Sequence, residues 1–219
     1  MNVPIRRLGL VALILCIVAG IAGAVIYFVP VFKVSGIDVH GNSHLSVEQV
    51  VDTAAIEPGT NLVRLNVEQV ARNVASLPWV SSATVQRALP DRVDVIIEER
   101  KAVGFISAAD GTHLIDEDGK EFVIDTPPQT AVEITENYDP ADLSAPVEVI
   151  AALPEDVRAQ VAAIAVEDPY SLRLWLEDGR NIFWGANVDN ANKVQALKTV
   201  LGMEGDSWNI SNPNLVSRP

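Results

Sequence analysis

The chain has 219 residues, room for one or two small domains, and a formal net charge of −13 from 29 acidic and 16 basic residues. That balance argues against nucleic acid, whose binding needs a basic footprint. The single cysteine, Cys16, lies in an uncharged apolar run, so nothing beyond it can form an internal disulfide and the fold must rest on its hydrophobic core.

The apolar run comes first. Residues 8–29 carry no charge, and a helix of that length spans about 33 Å, against about 30 Å for a bilayer core. Arg6 and Arg7 precede it, and Lys33 and an acidic region follow. The expectation is a cytoplasmic tail (1–7), a transmembrane helix (8–30) and an extracytoplasmic remainder. A cleaved signal peptide is the rival, because Ala22-Gly23-Ala24 resembles a cleavage site. The anchor is preferred because the apolar run continues through Val25, Ile26, Tyr27, Phe28 and Val29, with Tyr27 and Phe28 suited to an interfacial belt. Beyond Lys33 stand 13 basic and 29 acidic residues, a net of −16 that also disfavours docking on an anionic lipid surface.

Residues 32–40 read as a strand, with a bulge at Ser35-Gly36 where the apolar side switches, and Gly41-Asn42 as a turn. Two helices follow with the same start. Ser46 precedes Val47-Glu48-Gln49-Val50, and Asn66 precedes Val67-Glu68-Gln69-Val70, each a cap with Gln at the third helical position. Val47, Val50, Val51, Ala54 and Ala55 share one helical face, as do Val67, Val70, Ala71, Val74 and Ala75. Pro58-Gly59 separates the helices and Pro78 ends the second. Residues 81–88 and 92–99 then read as two strands around Leu89-Pro90-Asp91, with Val93, Val95 and Ile97 facing inward.

Further on the pattern is β-rich. Asp110-Gly111, Asp118-Gly119 and Asp178-Gly179 are hairpin signals. Strands are expected at 113–115, 121–124, 172–176, 182–184 and 208–211, with 215–218 as one more. One helix starts at Ser144, with Pro146 in its first turn, and another covers about 190–202, with Val194, Leu197, Val200 and Leu201 inward.

Catalytic or metal-binding patterns are missing from the sequence. Asp116-Glu117-Asp118-Gly119 approaches a calcium loop, but Leu114 occupies a ligand position and Asp125 stands where a Glu is required, so a hairpin turn is the better reading. His40, His44 and His113 have no zinc spacing; His40 and His44, flanking a turn, read as solvated. Glu98 and Glu99, adjacent on a strand, point to opposite faces and cannot work as a carboxylate pair. Core packing is expected of Trp79, Trp175 and Trp184, whereas Trp208 is a candidate to face a partner.

The order strand, helix, helix, strand, strand resembles a POTRA domain. The segments "VSGIDVHGNSHLSVEQV" and "LPWVSSATVQRALPDRVDVIIEERKAV", then "DGR" ahead of "WG", make the chain similar to the FtsQ/DivIB family of bitopic division proteins. The tail of seven residues before the span is short for that family. The resemblance implies an α+β chain: a single membrane helix, a POTRA-like β-α-α-β-β domain (32–100) and a β-rich domain (101–219). It further implies a non-enzymatic septal scaffold with no cofactor or metal. Its implied partners are FtsB-like and FtsL-like proteins, with further contacts to FtsK-like and FtsW/FtsI-like ones. The implied FtsB-like contact lies at the last strand edge, around 211–218; the candidate residues are Trp208, Ile210, Ser211, Leu215, Val216, Ser217 and Arg218. Two alternatives are a membrane-anchored envelope enzyme and another POTRA-type assembly protein.

Overall fold

A computed structural model describes residues 5–28, 32–139 and 142–218. The chain divides into two compact units, Met1–Glu99 and Arg100–Pro219.

The first unit begins with helix α1, Ile5–Phe28. Its side chains are described without a break only over 9–21, which covers about 20 Å. Among the described residues no helix is long and apolar enough to cross a membrane. Residues 1–4 of the expected tail, and Val29 and Pro30 at the end of the expected span, lie outside the described residues.

Strand β1 (Gly36–His40), helices α2 (Val47–Ala54) and α3 (Val67–Val74), and strands β2 (Val80–Ala88) and β3 (Arg92–Glu99) follow. The sheet order is β1-β3-β2, with β1 parallel to β3 and β2 antiparallel to it. Both helix starts are as the sequence indicates. Ser46 and Gln49 form a reciprocal capping box, and Asn66 accepts from the Gln69 N–H at 3.0 Å. Val50, Ala54, Val70 and Val74 on the helices are buried with Val93, Val95 and Ile97 of β3 in one core.

The first strand differs from the expectation. It starts at Gly36, not at residue 32, and there is no bulge. The Val34 N–H donates to Thr60 and its carbonyl accepts from Gly59, while the Ser35 N–H donates to Asp91. The chain therefore changes partners at Ser35, and the apolar switch marks that change.

The charge run at the end of β3 is dispersed. Glu98 accepts from the Ser82 hydroxyl at 2.8 Å, whereas the Glu99 carboxylate accepts the N–H groups of Ser43, His44 and Leu45 at 3.0, 2.8 and 2.9 Å. Glu99 thus ties the turn after β1 to the end of β3. Partial burial works to raise its carboxyl pKa, but the three N–H groups outweigh it and hold the pKa below the ordinary value of 4.5. The stabilisation is therefore full above that value and is lost as pH falls through the lowered one. Glu99→Gln should cost this unit about 1–2 kcal/mol near pH 7, the site being part-exposed and screened. Urea midpoints measured from pH 7 down to pH 3 should converge for the two proteins; a constant difference would contradict this role.

The second unit is one eight-stranded sheet. Its elements are β4 (Gly104–Ala108), β5 (Gly111–Ile115), β6 (Glu121–Ile124), β7 (Val132–Glu136), α4 (Ser144–Ala152), α5 (Glu155–Arg158), β8 (Val161–Asp168), β9 (Ser171–Leu176), β10 (Asn181–Gly185), α6 (Asn190–Leu201) and β11 (Ser207–Asn209). The order across the sheet is β11-β10-β9-β8-β7-β4-β5-β6. All three Asp-Gly pairs form hairpins, joining β4 to β5, β5 to β6, and β9 to β10. The pairs β4–β7, β7–β8 and β10–β11 are parallel. Inward residues of the sheet, among them Ile134, Ile164, Leu174 and Ile182, pack with Val147 and Ile150 of α4 and with Val194 and Leu197 of α6.

Two tryptophans depart from the expectation. Trp175 is 39% exposed, because strand alternation turns it away from the face that carries Leu174 and Leu176. Trp208 is 7% exposed and belongs to the core. Trp184 is fully buried as expected, while Trp79 is partly buried, packs on its unit's core and stacks on His44 at 3.8 Å between ring centroids, so His44 is not simply solvated.

A candidate protein-binding edge

The sheet ends at β11 on one side and β6 on the other. The β11 end is built by the stretch that carries "DGR" and "WG". Asp178 accepts from the Arg180 N–H at 3.1 Å and closes the β9–β10 turn, where Gly179 has φ +87°. The Arg180 guanidinium reaches the carbonyls of Val200, Leu201 and Met203 at 3.2–3.4 Å, capping the C-terminus of α6. One arginine therefore fixes the helix end that leads directly into β11. At the other end of β10, Gly185 has φ +74°, and a Cβ there would lie 2.8 Å from the Ser211 Cβ. Glycine lets the returning chain pass.

A polar network, part-buried at Asn187 and Asn190 and reaching the exposed Glu148, fills the connection between β10 and α6. The Trp184 indole N–H donates to Asn190, Asn190 donates to Asn187, and Asn187 donates to Glu148. Lys193 is 1% exposed, and its Nζ donates to the Ala186 carbonyl at 2.7 Å and stands 5.8 Å from the centroid of the Trp184 ring. Burial lowers its pKa, opposed by Asp189. Sequence reasoning missed this lysine. The signal was present, since Lys193 lies four residues before Leu197 and on the same helical face.

The candidate residues divide by alternation. Trp208 and Ile210 point inward and are buried. The Trp208 indole N–H has no hydrogen-bond partner among the described residues. Ser211 is exposed and donates through its N–H and hydroxyl to the Asn209 side chain, at 3.0 and 2.7 Å. Leu215 is 70% exposed, and Val216 is partly buried against the core. Strand β11 is shorter than expected, and residues 215–218 form no full strand: one antiparallel bridge joins Asn209 to Ser217, with backbone bonds of 2.8 and 3.2 Å. The turn at 212–215, closed by the Leu215 N–H on the Asn212 carbonyl, leaves too few residues for a longer ladder. Arg218 lies over the Trp208 ring at 4.7 Å and donates to the Glu204 carbonyl.

At the opposite end, His113 joins Glu121 of β6 and Asp110, at 2.6 and 2.9 Å. Glu121 first, and then Asp110, raise its pKa above the ordinary histidine value. The stretch 116–119 is the β5–β6 turn: Asp116 accepts the N–H groups of Asp118 and Lys120 at 3.1 and 2.9 Å and pairs with Arg100 at 2.6 Å.

Residues 32–100 match the family model described as POTRA domain, FtsQ-type, and residues 105–212 match Cell division protein FtsQ/DivIB, C-terminal. The chain belongs to the FtsQ/DivIB family of cell division proteins. It is 36% identical over 217 residues to the cell division protein FtsQ of Corynebacterium glutamicum, covering 97% of this chain and 98% of that protein. It is 35% identical to the FtsQ of Mycobacteroides abscessus, over 96% of this chain and 69% of that one. A more distant relative is the DivIB of Clostridium acetobutylicum, 27% identical over 90 residues, or 41% of this chain and 36% of that protein. The α+β class, the POTRA-like first domain and the β-rich second part read from the sequence accord with this FtsQ/DivIB membership, as does a role in cell division.

Proposed function

We propose that this FtsQ/DivIB member is a non-enzymatic, membrane-anchored scaffold of the division septum, built as tail 1–7, span 8–30, POTRA domain 32–100 and β domain 101–219. Helix α1 runs for 24 residues, about 36 Å, and Arg6 and Arg7 at its start favour a cytoplasmic N-terminus and an extracytoplasmic remainder. Recovery of soluble mature protein beginning at Val25 would replace the anchor with a cleaved leader.

The partners in this reading are FtsB-like and FtsL-like proteins, with FtsK-like and FtsW/FtsI-like contacts beyond them. The observation that carries it is the β11 end of the sheet. Strand β11 has three residues, and among the described residues one bridge continues the sheet past it, so backbone groups there can accept a strand from another chain. Trp208 and Ile210 support this edge from beneath, while Ser211, Leu215, Val216, Ser217 and Arg218 run along it. Deleting residues 215–219 should change septal recruitment of the FtsB-like and FtsL-like proteins several-fold. Unchanged recruitment would remove the assignment.

A further inference from the structure

We propose that residues 211–218 form a displaceable strap that closes the β11 edge in the free protein, and that the partner's strand replaces it. This rests on the reading of β11 as the partner site. Parallel pairing directs the Ile210 N–H to Phe183 and the Asp206 carbonyl to Asn181. By alternation, Ser207, Asn209 and Ser211 direct their backbone groups away from β10. Asn209 is covered by Ser217 on that outer side.

The strap is built in. Gly185 leaves room for Ser211, and Gly205, with φ +138°, lets the Arg218 guanidinium approach to 3.0 Å of where a Cβ would stand. The strap is also weakly held. Among the described residues it is held by one bridge of two backbone bonds, by one partly buried aliphatic side chain in Val216, and by the exposed Arg218, which lies over the Trp208 ring and donates to the Glu204 carbonyl, while Leu215 contributes almost no burial. A cleft of about 400 Å³ lies beside it, lined by Ala196 and Thr199 of α6 and by Pro213 and Val216.

The strap itself describes its replacement. An extended segment with an aliphatic residue and a cation two positions apart would fill the places of Val216 and Arg218. It would also pair with Ser207, which the strap's one bridge does not reach. The acidity of the unit, with 20 acidic and 9 basic residues from Arg100 onward, favours such a basic segment.

The test uses the full chain in lipid nanodiscs with the FtsB-like and FtsL-like proteins as probe. Directly opposed residues in such a bridge are about 5.5 Å apart at Cα, within disulfide reach. Asn209→Cys with Ser217→Cys, in a Cys16→Ser background, therefore locks the strap when oxidised. The oxidised protein should bind the probe about tenfold more weakly than the same protein after reduction. In the free protein the Asn209 amide should exchange at least about tenfold faster than that of Ile210. Deleting 215–219 should strengthen binding. Equal binding by locked and reduced forms, or exchange at Asn209 as slow as at Ile210, would overturn the strap. Loss of binding on deletion would also overturn it while leaving the partner site standing, because the segment would then be the docking strand. No change on deletion would overturn both.

Discussion

Gly41→Ala should unfold the 32–99 unit more readily than any other single-methyl change in it. Gly41 has φ +86°, and an added Cβ would lie 2.1 Å from the Ile97 carbonyl oxygen. The obstacle is backbone of β3, the central strand, and cannot swing aside as a side chain would. Left-handed strain of about 1–3 kcal/mol and overpacking of similar size together give a loss of about 4 kcal/mol. The effect should stay local, because the two units have separate cores. Limited proteolysis in urea should show cleavage within 32–99 at a much lower midpoint while 100–219 keeps its own. An unchanged first midpoint would mean that the turn after β1 is not held as described.

The second large effect is expected at Asp116. This carboxylate is 4% exposed, accepts two backbone N–H groups across the β5–β6 turn, and pairs with Arg100. Asp116→Ala leaves those donors without their acceptor and should cost the 100–219 unit about 3–5 kcal/mol, as for a broken buried pair. Glu117→Gln and Asp118→Asn should cost little, since both residues are exposed and the Glu117 pair with Lys101, at 3.5 Å, is screened by solvent. The contrast separates a turn from a calcium loop, in which neutralising Asp118 would also matter and added calcium would raise the midpoint. Thermal melts of the three variants, with calcium and with chelator, decide between them. Equal losses at Asp116 and Asp118, with a calcium shift, would contradict the turn.

Local signals made much of this fold readable. Caps at Ser46 and Asn66, alternation in β3 and the three Asp-Gly turns act over a few residues, and each formed as its chemistry dictates. The strands β4, β7 and β8 escaped; β7 has parallel neighbours on both sides, and β8 runs parallel to β7 although it is antiparallel to β9. A parallel partner is distant in sequence and leaves no turn signal, and Val161–Asp168 carries the alanines Ala162, Ala163 and Ala165 instead of clean alternation. The candidate edge was legible in part. Period-two alternation marks Trp208 and Ile210 as one face, but only tertiary contact shows that this face is the core. The Asn209–Ser217 bridge has no short-range signature at all. Neither does the reach of Arg180 to the end of α6, although "DGR" itself was conspicuous.

The central claim is that this chain supports division by holding other proteins at the septum. Its most direct test is depletion from living cells by a repressible promoter, with cell length measured over several generations. The account predicts long filaments with replicated, segregated chromosomes and no completed septa. Rescue should come from the full chain and fail with a variant whose β11 edge no longer recruits the FtsB-like and FtsL-like proteins. Cells that keep dividing at normal length after the protein is gone would contradict it.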